Sequence, residues 1–118
     1  MGQPVAYLEI ISPDHERAQR FYGELFGWQV TVNPSLGGYG RVDTGAGDAA
    51  IGCGIGPSTT SSDAGVRFYV RVPDLSAALA QAEQLGATRL AEPADLPGGN
   101  GRFAMFADPD GNSVGLWT

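Results

Sequence analysis

The sequence predicts an α+β protein made of two tandem βαβββ modules, and three observations carry that reading. Strand-like alternation runs directly into a helical stripe at residues 7–28, and the same succession recurs at residues 67–87. The matching positions keep their spacing: Tyr7 and Arg67 lie 60 apart, as do Asp14 and Asp74, and Phe26-Gly27 and Leu85-Gly86 lie 59 apart. Further on, Gly37-Gly38-Tyr39-Gly40-Arg41-Val42 matches Gly98-Gly99-Asn100-Gly101-Arg102-Phe103 at an offset of 61. One of these matches could arise by chance, but four in the same order indicate a duplicated unit. Module one is read over residues 4–57 and module two over 64–118, together one domain of 118 residues.

Each element has a local reason. Residues 5–11 alternate, with Ala6, Leu8 and Ile10 on one face and Tyr7, Glu9 and Ile11 on the other. Ser12-Pro13-Asp14 reads as a helix start, Ser12 as the cap, Pro13 at the first helical position, Asp14 and Glu16 at the positive dipole end. Ala18, Phe21, Tyr22 and Leu25 then form an expected buried stripe, and Gly27 stops the helix. Strands are expected at 28–33, 39–44 and 48–55. In module two, Phe68, Val70 and Val72 share a strand face opposite Arg67, Tyr69 and Arg71. Asp74 caps a helix with the stripe Leu75, Ala78, Leu79, Ala82 and Leu85, which ends at Gly86. Strands near 87–92, 101–107 and 112–117 follow, with Asp108-Pro109-Asp110-Gly111 as the tight turn before the last. The glycine runs 37–40 and 98–101 open no helix, so they read as hairpin turns and not as phosphate cradles.

Composition limits the chemistry. Thirteen acidic against seven basic residues give a net charge of −6, unfavourable for nucleic acid and suited to cationic or neutral small ligands. All seven basic residues are arginine, which removes Schiff-base and lysine-base chemistry. A single cysteine and a single histidine leave no disulfide, no cysteine-rich zinc site and few nucleophilic triads. Cys53 reads as a small hydrophobe and His15 as a solvated residue of the first helical turn. No apolar run approaches the ~20 residues that span a bilayer, and MGQPVAYLEI carries no export signal, so the expected location is cytoplasmic, with no membrane partner.

The paired modules, the Phe21-Tyr22…Phe26-Gly27-Trp28 run and the Phe106-Ala107-Asp108-Pro109-Asp110-Gly111-Asn112 turn resemble the vicinal oxygen chelate superfamily of glyoxalases, bleomycin-resistance proteins and extradiol dioxygenases. The ending Asp-Pro-Asp-Gly-Asn-x-x-Gly-Leu-Trp at 108–117 looks like the group described as predicted enzymes related to lactoylglutathione lyase. The resemblance implies an open, cup-shaped mixed sheet around a cavity, a helix on the outside of each module, and a homodimer. Metal-dependent members place His, Gln or Glu at four positions. Here the corresponding residues are Tyr7, Arg67, Gly115 and one of Ile51 or Gly52. A phenol, a guanidinium and bare backbone offer no convergent set of N or O donors, so no metal and no other cofactor is expected.

Glu9 lies two residues beyond Tyr7 on the expected cavity face, with Arg67 available from the repeat-related strand. A Glu9–Arg67 pair either holds the modules in register or recognises a ligand, with an acid/base role for Glu9 or Tyr7 if burial shifts their pKa. The expected ligand-binding set is Tyr7, Glu9, Arg67, Tyr69, Gly115 and Trp117. The favoured function is a metal-free protein that captures a small aromatic or cationic molecule, an antibiotic or secondary metabolite. The alternatives are a metal-independent glyoxalase-like enzyme using Glu9 or Tyr7 for proton transfer and, less favoured, a divalent-metal lyase or dioxygenase.

Overall fold

A computed structural model describes residues 2–58 and 64–118. The chain is α+β, with two α-helices and eight strands among the described residues in the order βαβββ, twice: β1 (Val5–Ser12), α1 (His15–Phe26), β2 (Gln29–Asn33), β3 (Tyr39–Asp43), β4 (Gly52–Pro57), β5 (Gly65–Arg71), α2 (Leu75–Gln84), β6 (Thr88–Asp95), β7 (Arg102–Ala107) and β8 (Ser113–Trp117). It divides into two compact units, Tyr7–Arg67 and Phe68–Thr118, the latter joined by the first residues through Ala6. Among the described residues no helix is long and apolar enough to cross a membrane.

In Tyr7–Arg67 the strands run β2-β3-β4-β1. β1 pairs parallel with β4, setting Tyr7 opposite Gly52 and Glu9 opposite Gly54, while β3 pairs antiparallel with β2 and β4. Parallel neighbours need a crossover, and α1 with its following hairpin supplies it. Asp14 caps α1, its carboxylate accepting from the Arg17 N–H at 3.1 Å, so the cap falls two residues later than expected. Ser12 instead accepts from the Asp14 N–H and shapes the turn before the helix. Gly27 closes α1 in the left-handed region (φ 68°), which glycine reaches without a Cβ clash.

The expected stripe of α1 has the right period and the wrong phase. Phe21 and Leu25 are 56% and 59% exposed, whereas Gln19 is buried. Residues 19 and 21 lie about 200° apart around a helix, so both cannot face inward. The inward stripe is His15, Ala18, Gln19, Tyr22 and Gly23. Gln19 wins because its amide donates to two backbone carbonyls on the inward side, Gly38 O and Ile55 O, each at 2.9 Å. Phe21, Tyr22, Phe26 and Trp28 instead pack on one another, and Trp28 stacks on Tyr22 with centroids 6.0 Å apart.

In Phe68–Thr118 the order is β5-β8-β7-β6, with β5 and β8 parallel and the other pairs antiparallel. Its core is Val72, Leu75, Leu79, Ala104 and Leu116, with Val70, Ala78 and Phe106 against it. Asp74 caps α2 by accepting from Ala77 N–H. The stripe of α2 is as read from the sequence except at Leu85, the C-cap residue, which is 74% exposed. β6 extends to Asp95 through Pro93, which an edge strand tolerates because its N–H side need not pair. β4 begins at Gly52, not at residue 48, because Gly47–Ala49 form a single 3-10 turn that follows Gly45 and opens on Gly47, both at positive φ. The Asp108 turn closes with Gly111 N–H donating to Asp108 O at 2.9 Å.

Gln19→Leu removes both of these hydrogen bonds. It is expected to lower stability to urea unfolding by about 1–3 kcal/mol, from roughly 0.5–1.5 kcal/mol per hydrogen bond. An effect under about 0.5 kcal/mol would show that water replaces the amide.

Candidate functional site

Alternation along β1 points Tyr7 and Glu9 to one face of the sheet of Tyr7–Arg67. β3, two strands away across β4, begins with Tyr39 on that same face. What lets the two strands meet is the strand between them. Its residues on that face are glycines: a Cβ at Gly54 would run into the hydroxyls of Tyr39 and Tyr7, and one at Gly56 would lie 2.9 Å from Tyr39 Cε2. With that floor bare, the phenol of Tyr39 crosses β4 and its hydroxyl donates to Glu9 Oε2 at 2.7 Å.

Glu9 is 7% exposed. Its other oxygen, Oε1, accepts from Arg67 Nε and lies 2.8 Å from both Nε and Nη2. Removing one partner of such a pair strands a buried charge, which costs about 3–5 kcal/mol, so Arg67 and Glu9 stand or fall together. The hydroxyls of Tyr7 and Tyr39 are 2.9 Å apart. A carboxylate only accepts, so the Tyr39 proton is committed to Glu9, and Tyr7 must be the donor to Tyr39. The result is a directed chain, from Tyr7 through Tyr39 to Glu9, with Arg67 behind the carboxylate.

Burial pushes the Tyr39 phenol far above its ordinary range, and the Glu9 charge adds to this. Burial also raises Tyr7, partly offset by the hydrogen bond with Tyr39 and by Arg41. Both phenols therefore stay protonated at neutral pH and exchange hydrogen bonds; neither is poised as a base. Cys53 is buried and its thiol is pushed up by desolvation, as suits a packed hydrophobe. The His15 ring packs against Gly38, where a Cβ would sit 2.6 Å from Nε2.

Of the residues singled out from the sequence, Tyr7, Glu9 and Arg67 fall in one unit and are linked through shared partners, while Tyr69, Gly115 and Trp117 fall in the other. There, the Tyr69 ring fills the space over Gly115, where a Cβ would be 2.6 Å from Tyr69 Cγ. Trp117 donates from Nε1 to Asn100 O at 2.8 Å, and Arg71 Cζ lies 4.3 Å from its ring centroid. Tyr39 was read from the sequence only as the junction of a glycine-rich turn and the strand 39–44, with no place in the site. The signal that could have found it is the alternation of Gly52, Gly54 and Gly56, a vacancy on one face that a large neighbour must fill.

The residues do not suit the divalent ion that the resemblance brings to mind. Among the described residues no three His, Cys, Asp or Glu side chains gather on one point. The sole carboxylate of the network, Glu9, has a cation and a phenol already on its oxygens. A groove of about 400 Å³ beside α1, lined by Gln19, Arg20, Gly23, Trp28, Val30 and Val32, includes none of the network residues.

Residues 7–116 match the family described as glyoxalase-like domain. The chain is 32% identical to the anthracycline biosynthesis protein DauV of Streptomyces sp. strain C5 over 98% of its own length and 46% of that protein's. It is 28% identical to a glyoxylase-like domain-containing protein of Didymella fabae, covering 97% of this chain and 92% of that one. A solved glyoxalase/bleomycin resistance protein/dioxygenase superfamily member from Vibrio splendidus shares the fold at TM-score 0.62 and 16% identity, over 98% of this chain and 97% of the other. The chain spans 44–46% of the length of the mycobacterial and streptomycete relatives it matches.

The buried phenols give a pH signature. The folded chain keeps phenol protons that the unfolded chain releases near pH 10.0, so the unfolded state binds fewer protons above that pH and stability falls as pH rises through this range. Ultraviolet titration should show Tyr7 and Tyr39 resisting ionisation beyond the ordinary tyrosine range, with Tyr7→Phe and Tyr39→Phe each deleting one late-titrating group. Ordinary titration of all four tyrosines in the folded protein would contradict the network. Gly54→Ala should displace Tyr39 and restore ordinary titration at that residue.

Proposed function

We propose, on the premise that this chain belongs to the glyoxalase-like domain family, that it binds a small organic molecule against the Tyr7–Tyr39–Glu9–Arg67 network without recruiting a divalent ion. The observation that carries the reading is the buried carboxylate of Glu9, held by Arg67 on one oxygen and Tyr39 on the other. This replaces a convergent donor set by a fixed polar anchor in partly apolar surroundings, the usual make-up of an organic-ligand site.

The direction of the hydroxyl chain supports a class of ligand. The Tyr7 proton is directed at Tyr39, so towards a ligand the phenol oxygen acts as an acceptor, which favours a ligand that donates. Phenol faces and the net charge of −6 add cation–π and long-range attraction for a cationic or aromatic molecule. The similarity to an anthracycline biosynthesis protein supports an aromatic secondary metabolite as the class to try first.

The second reading is a metal-independent glyoxalase-like enzyme. Its support is the same chain of hydroxyls, which could pass a proton from Tyr7 towards Glu9 in one concerted shift. The geometry favours binding over this, because a base would first have to lose the partners that hold both oxygens of Glu9.

The test is a thermal-shift and calorimetric comparison of benzylamine with benzyl alcohol. A ligand bound only by the folded state raises the melting temperature, and the amine is expected to do so more than the alcohol. Glu9→Gln and Tyr7→Phe should each weaken benzylamine binding about tenfold, equivalent to ~1.4 kcal/mol. Equal affinities in the wild type and both variants would move the site elsewhere. Isomerisation of the hemithioacetal of glutathione and a 2-oxoaldehyde, lost in Glu9→Gln, would instead select the enzyme reading.

A further inference from the structure

We propose that Arg71, held over the indole of Trp117, is a recognition point for the carboxylate of a small organic acid. The inference does not rest on the reading of Glu9, and every residue in it belongs to Phe68–Thr118.

Among the described residues four of the seven arginines are ion-paired: Arg17 with Asp14, Arg67 with Glu9, Arg89 with Glu83 and Glu92, and Arg102 with Asp95. In so acidic a chain that is the expected fate of a guanidinium. Arg20 and Arg41 have no such partner among the described residues, and Arg71 also departs from it. Among the described residues it has no carboxylate within ion-pair reach, and its side chain rests on an aromatic ring, Cζ 4.3 Å from the centroid. A guanidinium over an indole is steadied through its face, while its five N–H donors lie in its own plane and stay directed at the surroundings. That edge is what a carboxylate reads, through two parallel hydrogen bonds.

The platform is itself fixed. β5 and β8 pair with Arg71 opposite Trp117, so the backbone sets the two side by side. The indole cannot swing, because Nε1 donates to Asn100 O at 2.8 Å. Asn100 is in turn held by its own amide, which donates to Pro97 O at 2.8 Å. Gly101 has φ 89° and sits under the ring, where a Cβ would be 2.9 Å from Trp117 Nε1 and would collide with Thr118 O. Arg102 and Thr118 exchange both backbone hydrogen bonds across the same spot. A charged fork is thus presented on a support held by a strand pairing, two side-chain hydrogen bonds to carbonyls, a glycine at positive φ and a pair of backbone hydrogen bonds, which lowers the ordering cost of binding an anion.

The experiment compares benzoate with its neutral isostere benzamide by calorimetry and thermal shift on the intact chain. Benzoate is expected to bind in the millimolar range and raise the melting temperature, with benzamide at least tenfold weaker. Arg71→Met keeps the aliphatic stem on the ring and should weaken benzoate tenfold or more, with benzylamine affinity unchanged within about twofold. Arg71→Lys keeps the charge and loses the planar fork, so it should recover only part of the affinity. The proposal is overturned if benzoate and benzamide bind alike, if benzoate does not bind, or if Arg71→Met binds benzoate as well as the wild type. Should Arg71→Met fail to fold, the wild-type pair and Arg71→Lys decide. Because benzylamine reports on Glu9 and benzoate on Arg71, failure of one reading leaves the other readable.

Discussion

A carboxylate that is 7% exposed must be compensated on the spot, and in this chain that requirement organises an entire face of one unit. Glu9 needs a cation, and Arg67 supplies two nitrogens to one oxygen. It needs a second donor, and Tyr39 supplies a hydroxyl from two strands away. Tyr39 can do so only because β4 carries Gly54 and Gly56 where any side chain would block the ring. Tyr7 then completes the chain through the Tyr39 oxygen. Four side chains and two glycines are therefore one device, and the backbone of β4 is as much a part of it as the charges.

The duplicated architecture sharpens the point. Glu9 faces Gly54 across a parallel strand pair, and sixty residues later Tyr69 faces Gly115 in the same register. Both units keep the bare glycine, which leaves room on the sheet. One fills the room with hydroxyls gathered on a carboxylate; the other fills it with the Tyr69 ring. Equivalent backbones thus carry different chemistry, which is how a family defined by its fold hosts unrelated activities. The family membership of residues 7–116 fixes the scaffold, and the side chains at these few positions argue the function.

Much of this was legible in the sequence. The βαβββ order, the Asp74 cap, the Gly27 and Gly86 stops and the Asp108 turn are local features, governed by residues a few positions apart. The Glu9–Arg67 pair followed from matching the repeats, which brings distant strands into correspondence. The phase of α1 did not follow, because hydropathy ranks Phe21 and Leu25 above Gln19, while the decisive fact was two backbone carbonyls within reach of the Gln19 amide. Tyr39 escaped for a related reason. Its neighbours are glycines, so the local pattern says turn, and only the register across β4 shows that the ring has a vacancy to fill. Local propensity gives the elements; polar satisfaction and empty space decide which side chains meet.

Glu9 is anchored by a guanidinium and a phenol, and the proposed function has them stand where a metal would. Calorimetric titration of Zn²⁺, Ni²⁺ and Mn²⁺ into chelator-treated protein addresses it directly. The account predicts no stoichiometric binding by any of the three ions. One ion bound per chain, with that binding abolished in Glu9→Gln, would contradict it.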